Sequence, residues 1–280
     1  MIKTNYHTHT DFCDGNGTVN QIAQNAIQKG FNILGFSSHS MYPFSGSYHI
    51  VQKEHPLYVQ AVNEAKEKYK NQLTILLGFE AEYAPNVTKP DFSYYKSLSP
   101  DYLIGSVHYI FTPKGRLAVD YNAERLEQKI NELFGGNAKK MVCEYFALER
   151  EMLSNSAFSI IGHPDLVRKN NGRLHMFCEN DSWYRKEIKA TANAIKKAGV
   201  IVEVNTGAIA RKYMDDVYPS KEFLSHLSER NIPVTINSDS HTPEGLDAFF
   251  DKAKEALWKA GYNEVAYIDE NKNIRMQKLE

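Results

Sequence analysis

Two histidines separated by one residue lie near the start of the chain, and a carboxylate follows them. His7 and His9 belong to the segment YHTHTDFCDG, which also contains Asp14. Residues 3–9 have the composition of a short strand, in which alternate side chains point to the same face. Two imidazoles on one face, with a carboxylate nearby, can bind one or two divalent metal ions. A lone His-x-His pair also fits the outer face of an edge strand, so the rest of the chain must decide.

The same residue types recur where later apolar strands end. Apolar runs end at His39, Glu80, His108 and His163, and the last run ends at Asp239 and His241. In a parallel α/β barrel these strand ends share one face, which is the face that builds active sites. The repetition therefore indicates a common metal site rather than isolated structural histidines. Nitrogen and oxygen ligands without thiolate suit zinc, manganese or iron, and their number exceeds the need of one ion.

Strand-like and helix-like segments alternate along the chain, which predicts parallel strands joined by crossover helices. The predicted strands cover 3–9, 33–37, 73–79, 102–107, 158–162, 200–204 and 233–237. The predicted helices cover 19–29, 57–69, 124–134, 138–153, 182–198, 220–230 and 245–260. We expect the residues after Tyr262 to add a short edge strand. The absence of linkers, repeats and low-complexity tracts predicts a single α/β domain over residues 1–280.

The composition argues against several classes of function. The 280 residues are 42% hydrophobic and carry a formal net charge of -1, so no basic surface suggests nucleic acid as a partner. No stretch has the length and apolarity of a membrane span or a secretory signal. The three cysteines are widely spaced and do not form a disulfide framework. We therefore expect a reduced, cytoplasmic protein with a small-molecule partner, and its oligomeric state stays open.

Several short motifs, taken together, resemble those of the polymerase and histidinol phosphatase (PHP) family. They are the segments 7–9, 35–39, 78–80, 105–108, 161–165 and 237–241. The motifs occur in matching order over nearly the whole chain, and within the family they look most like those of the stand-alone histidinol-phosphate phosphatases. The resemblance implies a distorted (β/α)7 barrel that hydrolyses L-histidinol phosphate in histidine biosynthesis. Attack by a hydroxide that bridges two metal ions is the implied reaction.

The resemblance also implies three divalent ions, which would be zinc, manganese or iron. The first ion is assigned to His7, His9, Glu80 and Asp239. The second is assigned to Glu80, His108 and His163, and the third to Asp14, His39 and His241. Many relatives have a histidine at the position of Asp14. An aspartate is a harder ligand, and it would shift the metal preference towards iron or manganese.

Four charged residues are the candidates for catalysis. Glu80 and Asp239 are carboxylates of the implied metal site, and Asp239 or a metal-bound water would protonate the leaving group. Arg168 and Arg211 follow the fifth and sixth strands and would complete a phosphate pocket. If the third strand continues, Glu82 shares a face with Glu80 and would either support the metal ligands or form part of the pocket wall.

The loop of residues 40–56 is the candidate for contacts with an imidazole-bearing substrate. It contains His49 and His55, and its aromatic run 41–44 would wall the pocket. Long loops of this kind are often functional.

Other functions remain open at this point. A related phosphoesterase acting on nucleotides or other small phosphate esters would use the same metal site with different loops. A non-catalytic, metal-stabilised scaffold would keep the ligands without turnover. A metal-dependent amidohydrolase on a similar barrel is disfavoured, because no lysine ends the third or fourth strand.

Overall fold

The structure is a computed structural model that describes residues 2–40, 42, 46 and 48–280. Its strands are β1 (Thr4–Asn5), β2 (Ile33–Phe36), β3 (His39–Ser40), β4 (Thr74–Leu77), β5 (Glu80–Glu82), β6 (Ile104–Ser106), β7 (Tyr109–Thr112), β8 (Gly115–Ala118), β9 (Ile160–Ile161), β10 (Ile201–Asn205), β11 (Val234–Asn237), β12 (Glu264–Ile268) and β13 (Ile274–Lys278). Its α-helices are α1 (Val19–Gln28), α2 (His55–Tyr69), α3 (Ala123–Phe134), α4 (Ala138–Asn155), α5 (Asn171–Leu174), α6 (Ser182–Ala198), α7 (Gly207–Ala210), α8 (Lys221–Ser228) and α9 (Phe250–Lys259). Among the described residues, no helix has both the length and the apolar character that crossing a bilayer requires.

Within the described ranges, seven parallel strand paths close into a barrel. β1 pairs with β2 and β2 with β4, and the chain then continues from β2 into β3 and from β4 into β5 after short breaks. The order runs on from β3 through β5, β6, β9 and β10 to β11. The ring closes where Thr8 forms a parallel bridge with Ser240 and the His9 N–H donates to the Ser240 carbonyl at 2.9 Å. The predicted (β/α)7 barrel is confirmed.

The helix boundaries follow from local capping chemistry. Thr18 and Gln21 form a reciprocal capping box at the start of α1, and Gly199 ends α6 with a φ of 72°. The prediction of one helix over 245–260 is wrong at its start. A 3-10 turn occupies Pro243–Gly245, and α9 begins at Phe250 because Phe249 has a φ of 60°, which a continuing helix does not allow.

The N-terminal end of the barrel is filled with apolar side chains. A buried layer contains Tyr6, Ile33, Leu76, Tyr102, Ile104, Ile160 and Ile201, together with Ala266 and Ile268 from β12. The tail after Tyr262 was expected to add an edge strand, and this prediction is wrong. β12 and β13 pair only with each other among the described strands, and Tyr6 Oη exchanges hydrogen bonds with the backbone of Ile268. The hairpin covers the apolar barrel interior, which would otherwise face water.

Tyr102 crosses the barrel interior and explains two glycines. Its hydroxyl donates to the carbonyl oxygens of Tyr6 at 2.5 Å and Phe36 at 3.0 Å. A Cβ atom at Gly35 or Gly78 would lie 2.4 Å from Tyr102 atoms, far inside van der Waals contact. One end of the barrel is therefore closed and apolar, so the polar strand ends at the opposite mouth are the part that is left for chemistry.

Candidate metal centre

The carboxyl ends of the barrel strands bring all nine predicted metal ligands together. They form four overlapping groups, and within each group one donor atom per residue lies within 4.8 Å of the others. The groups are His9, Asp14, His39 and His241; His7, His9 and Asp239; His7, Glu80 and His163; and His39, Glu80 and His108. Because Glu80 and three of the histidines belong to more than one group, the donors form one connected cluster.

Glu80 lies at the centre of the cluster. Its Oε1 is 3.0 Å from His163 Nε2 and 3.3 Å from His108 Nε2. Its Oε2 is 3.0 Å from His7 Nε2 and 2.9 Å from His39 Nδ1. Each carboxylate oxygen thus faces a different pair of imidazoles. This arrangement suits a carboxylate that bridges two metal ions.

Two aspartates complete the cluster on either side of His9. The His9 Nε2 atom is 3.1 Å from Asp239 Oδ1, and the His9 Nδ1 atom is 3.7 Å from Asp14 Oδ1. Asp14 Oδ2 also lies 3.3 Å from His241 Nε2. Asp239 has a φ of 51°, a conformation that non-glycine residues rarely adopt and that concentrates at functional sites.

The donor set fits divalent metal ions. His7 Nε2 and Glu80 Oε2 are buried, yet neither forms a hydrogen bond with a described residue. A buried polar atom without a hydrogen-bond partner destabilises the folded protein, and a bound metal ion would coordinate both of these atoms. Two ligand atoms that each lie about 2.1 Å from one ion are separated by roughly 3–3.5 Å, and these two atoms are 3.0 Å apart. The imidazole and carboxylate donors suit zinc, manganese or iron.

The charge states of three members of the cluster favour metal binding. Burial, together with the neighbouring His241 and His39, lowers the pKa of His9 to about 3, so its imidazole is neutral and one ring nitrogen has its lone pair available to a metal ion. Burial alone would raise the pKa of Glu80, but the surrounding histidines outweigh it and hold that pKa well below its usual range. Asp239 is kept ionised in the same way, chiefly by Arg211 and His7.

The sequence reasoning missed Glu203, which orients two of the ligands. Its Oε2 accepts from His7 Nδ1 at 2.8 Å, and its Oε1 accepts from the His163 N–H at 2.8 Å. Asn205 and Asn237 donate to the same carboxylate at 2.8 and 2.9 Å. The only signal in the sequence is a glutamate inside the apolar strand VIVEV. A carboxylate that accepts from His7 Nδ1 fixes the tautomer whose Nε2 faces the cluster.

Glu82 supports His108 in the same manner, as its shared face with Glu80 suggests. Its Oε2 is 2.7 Å from His108 Nδ1, and its Oε1 accepts from the backbone N–H groups of His108 and Tyr109. The three backbone and side-chain contacts hold the imidazole in one orientation. His108 Nε2 is thereby directed at Glu80.

Comparison with known proteins agrees with this geometry. A PHP domain profile matches residues 5–207. The chain belongs to the PHP domain family. It is 27% identical to the probable histidinol-phosphatase of Schizosaccharomyces pombe, over 94% of this chain and 88% of that protein. It is 26% identical to the histidinol-phosphatase of Bacillus subtilis, over 86% of this chain and 94% of that protein.

A solved structure shows the same fold. The histidinol phosphate phosphatase of Lactococcus lactis, crystallised with zinc, L-histidinol and phosphate, superimposes with a TM-score of 0.68 and 19% sequence identity. The match covers 99% of each chain.

The PHP barrel places the two candidate phosphate-binding arginines differently. Arg211 lines the cavity above the metal cluster, and it donates to Asp239 Oδ2 at 2.7 Å and to the Asp239 carbonyl at 2.8 Å. Arg168 is buried and does not line that cavity, which corrects its expected place. Its guanidinium binds Glu179, Asp216 and the Val217 carbonyl at 2.8–3.0 Å. These three acceptors satisfy the buried cation, so Arg168 is held away from the strand ends.

The cavity above the cluster has a volume of 220 Å³. Its wall includes a positively charged side chain that the sequence did not predict. Lys169, next to Arg168 in the chain, lines it together with Arg211, Tyr213 and Tyr218. The Lys169 Nζ atom lies 4.2 Å from the centre of the Tyr213 ring. The 3-10 turn at Leu166–Arg168 turns the neighbouring side chains in different directions, a detail that strand and helix patterns do not predict.

The loop expected to contact a substrate ring is only partly described. Met41, Pro43 and Phe44 of the predicted aromatic wall lie outside the described residues. Tyr42 lines a second cavity of 320 Å³ beside the metal cluster. Neither His49 nor His55 lines either of these two cavities.

Proposed function

We propose that this chain is a metal-dependent phosphomonoesterase that hydrolyses L-histidinol phosphate to L-histidinol and phosphate. The observation that carries this proposal is a connected cluster of nine imidazole and carboxylate donors beneath a cavity lined by Arg211 and Lys169. The family supports the proposal, as do the two relatives named histidinol-phosphatase. The zinc, L-histidinol and phosphate in the Lactococcus lactis structure suggest which ester to test first.

We propose that the cluster holds three divalent ions. The groups His7, His9 and Asp239 and His7, Glu80 and His163, which share His7, surround the first two positions, and the group around Asp14 surrounds the third. Bound ions of this kind lower the pKa of water and neutralise charge on phosphoryl oxygens. The donor set suits zinc, manganese and iron alike, and the oxygen ligand Asp14 favours the harder ions at the third position.

The residues of this chain then bind and orient the ester. Arg211 and Lys169 present positive charge to the cavity, where they attract the phosphate dianion and stabilise charge on its oxygens. Arg211 also keeps Asp239 ionised and directed at His9. The low pKa of Asp239 leaves its carboxylate ionised, with no proton to give the leaving group, so we assign it to metal binding.

The test is phosphate release from L-histidinol phosphate by purified protein, measured alongside its metal content. A panel of nucleotides and other phosphate esters separates the related phosphoesterase from the histidinol-phosphate enzyme. We expect Glu80→Gln and His163→Ala to lower kcat by at least about 100-fold. Glu127→Gln, at an exposed position on α3, is the matched control and should leave kcat unchanged.

The proposal fails if either cluster variant turns over at a near-normal rate while its metal content is intact. A protein that binds metals but releases phosphate from no ester of the panel would instead favour the non-catalytic scaffold. The single-domain organisation over residues 1–280, the cytoplasmic location and the absence of a nucleic-acid partner stay predictions from the sequence.

A further inference from the structure

Two cavities meet at the metal cluster, and one carboxylate outside the cluster borders both of them. The 220 Å³ cavity and the 320 Å³ cavity share Asp14, His39 and His108, which belong to the cluster, and Asp120, which does not. Asp120 follows β8 and precedes α3, so the sequence places it in a connection with no motif. A ligand that extends from one cavity into the other passes this side chain.

The two cavities differ in chemical character. Beyond the shared residues, the smaller cavity presents Arg211 and Lys169, which suit an anion. The larger cavity is lined by the rings of Tyr42, Tyr48, Tyr109 and Tyr121. Aromatic side chains of this kind bind planar rings by stacking and bind cations through their faces. An ester bound across both cavities would therefore place its phosphate at one end and a ring at the other.

The carboxylate of Asp120 is available to a ligand. Among the described residues it accepts no hydrogen bond, and its nearest cation is Lys169, whose Nζ is 3.9 Å from Oδ2. The Lys169 ammonium donates instead to the Asp120 carbonyl at 2.7 Å. Asp14, the other carboxylate shared by the two cavities, is paired with His241 at 3.3 Å. Asp120 is 40% exposed, so a ligand can reach it from the mouth.

We propose that Asp120 is a specificity-determining residue that binds a protonated amino group located between the phosphate and the ring of the substrate. This inference rests on the proposed function and deepens it. In L-histidinol phosphate the amino group is on the carbon between the phosphate-bearing and imidazole-bearing carbons. That order matches the order of the cation-lined cavity, Asp120 and the tyrosine-lined cavity. An ammonium–carboxylate hydrogen bond at this point selects amino-alkyl esters over esters that lack the amine.

The test measures binding without turnover. The metal-loaded protein is titrated calorimetrically with L-histidinol and with its desamino analogue, in which hydrogen replaces the amino group. We expect the wild-type protein to prefer L-histidinol by about tenfold, because a hydrogen bond between charged groups contributes that much. Asp120→Asn should reduce this preference about tenfold, and Asp120→Glu should restore part of it. Glu127→Gln removes the same charge at an exposed site on α3 and should keep the preference.

An unchanged preference in Asp120→Asn overturns the inference, and so does the absence of L-histidinol binding to the wild-type protein. Phosphate release is measured separately on the same preparations. If the wild-type protein releases no phosphate while its preference for the amine depends on Asp120, the proposed function fails and the amine site stands. If phosphate is released but the preference for L-histidinol does not change in the Asp120 variants, the proposed amine site is wrong and the proposed function stands.

Discussion

Replacing Glu203 by glutamine tests how the barrel holds its metal ligands. The Glu203 carboxylate is fully buried, and both of its oxygens accept two hydrogen bonds. In Glu203→Gln one oxygen becomes an NH2 group, which must face two donors. The variant therefore loses two charge-assisted hydrogen bonds, each contributing about 1.5–3 kcal/mol. We expect the metal-free protein to lose about 3–5 kcal/mol of its free energy of unfolding, as when one partner of a buried ion pair is removed.

The same substitution should also weaken metal binding. Without the carboxylate, His7 is no longer held with Nδ1 protonated and Nε2 directed at the cluster. Loss of such a support lowers metal affinity or activity by about 10–100-fold. Urea denaturation of chelator-treated protein measures the first effect, and zinc competition with a chromophoric chelator measures the second.

Glu82→Gln is the matched comparison. The amide oxygen of this glutamine can still accept from the backbone N–H groups of His108 and Tyr109. Only the contact with His108 Nδ1 is lost, so we expect a stability loss of about 1 kcal/mol but a similar loss of metal affinity. A Glu203→Gln protein with the wild-type urea midpoint and wild-type zinc affinity would refute this account of the ligand supports.

Three further predictions concern stability. Arg168→Met removes the cation that lies 3.7 Å from the fully buried Asp165 and that also pairs with Glu179 and Asp216. It should cost about 3–5 kcal/mol in urea denaturation, while KM stays within about twofold; a larger KM change would return Arg168 to phosphate binding. Tyr102→Phe leaves the buried Tyr6 carbonyl without its Tyr102 donor, whereas the Phe36 carbonyl still accepts from the Gly78 N–H, and should cost about 1–3 kcal/mol in the metal-loaded protein; an unchanged midpoint would contradict this. Burial lowers the pKa values of His7 and His108, but neighbouring carboxylates outweigh burial and raise these pKa values well above 6.5. The two histidines therefore stabilise the folded protein fully below pH 6.5, and this contribution is lost as the pH rises through their folded-state pKa values. The urea midpoint of metal-free protein should therefore fall between about pH 6 and 9, and a flat profile would contradict this.

The barrel could be predicted because its signals are local. Apolar runs of strand length alternate with amphipathic helices, and each run that ends in a histidine or carboxylate marks its own carboxyl end. Parallel pairing then places those ends on one face whatever the details of the loops are. The tail was mispredicted because the sequences of β12 and β13 indicate that they are strands but do not indicate which strands they pair with. Their partner is decided by the exposed apolar barrel end that they cover.

Arg211 was predicted to line the cavity, but its second cation, Lys169, could not be predicted, because a turn decides where that side chain points. Arg168 and Lys169 are neighbours in the chain and carry the same charge. The 3-10 turn buries the Arg168 guanidinium against Glu179 and Asp216, and directs Lys169 to the cavity. Sequence reasoning chose the arginine because guanidinium groups suit phosphate.

The sequence by itself determined the class of fold and the chemical identity of the metal donors, since strand periodicity and the residue at each strand end are local properties. Only the tertiary structure decided which donors share an oxygen of Glu80, that Glu203 supports His7 across the barrel, and that Asp120 borders two cavities. These relations join residues far apart in the chain. They depend on how the barrel closes and on turn geometry, which no short pattern of residues encodes.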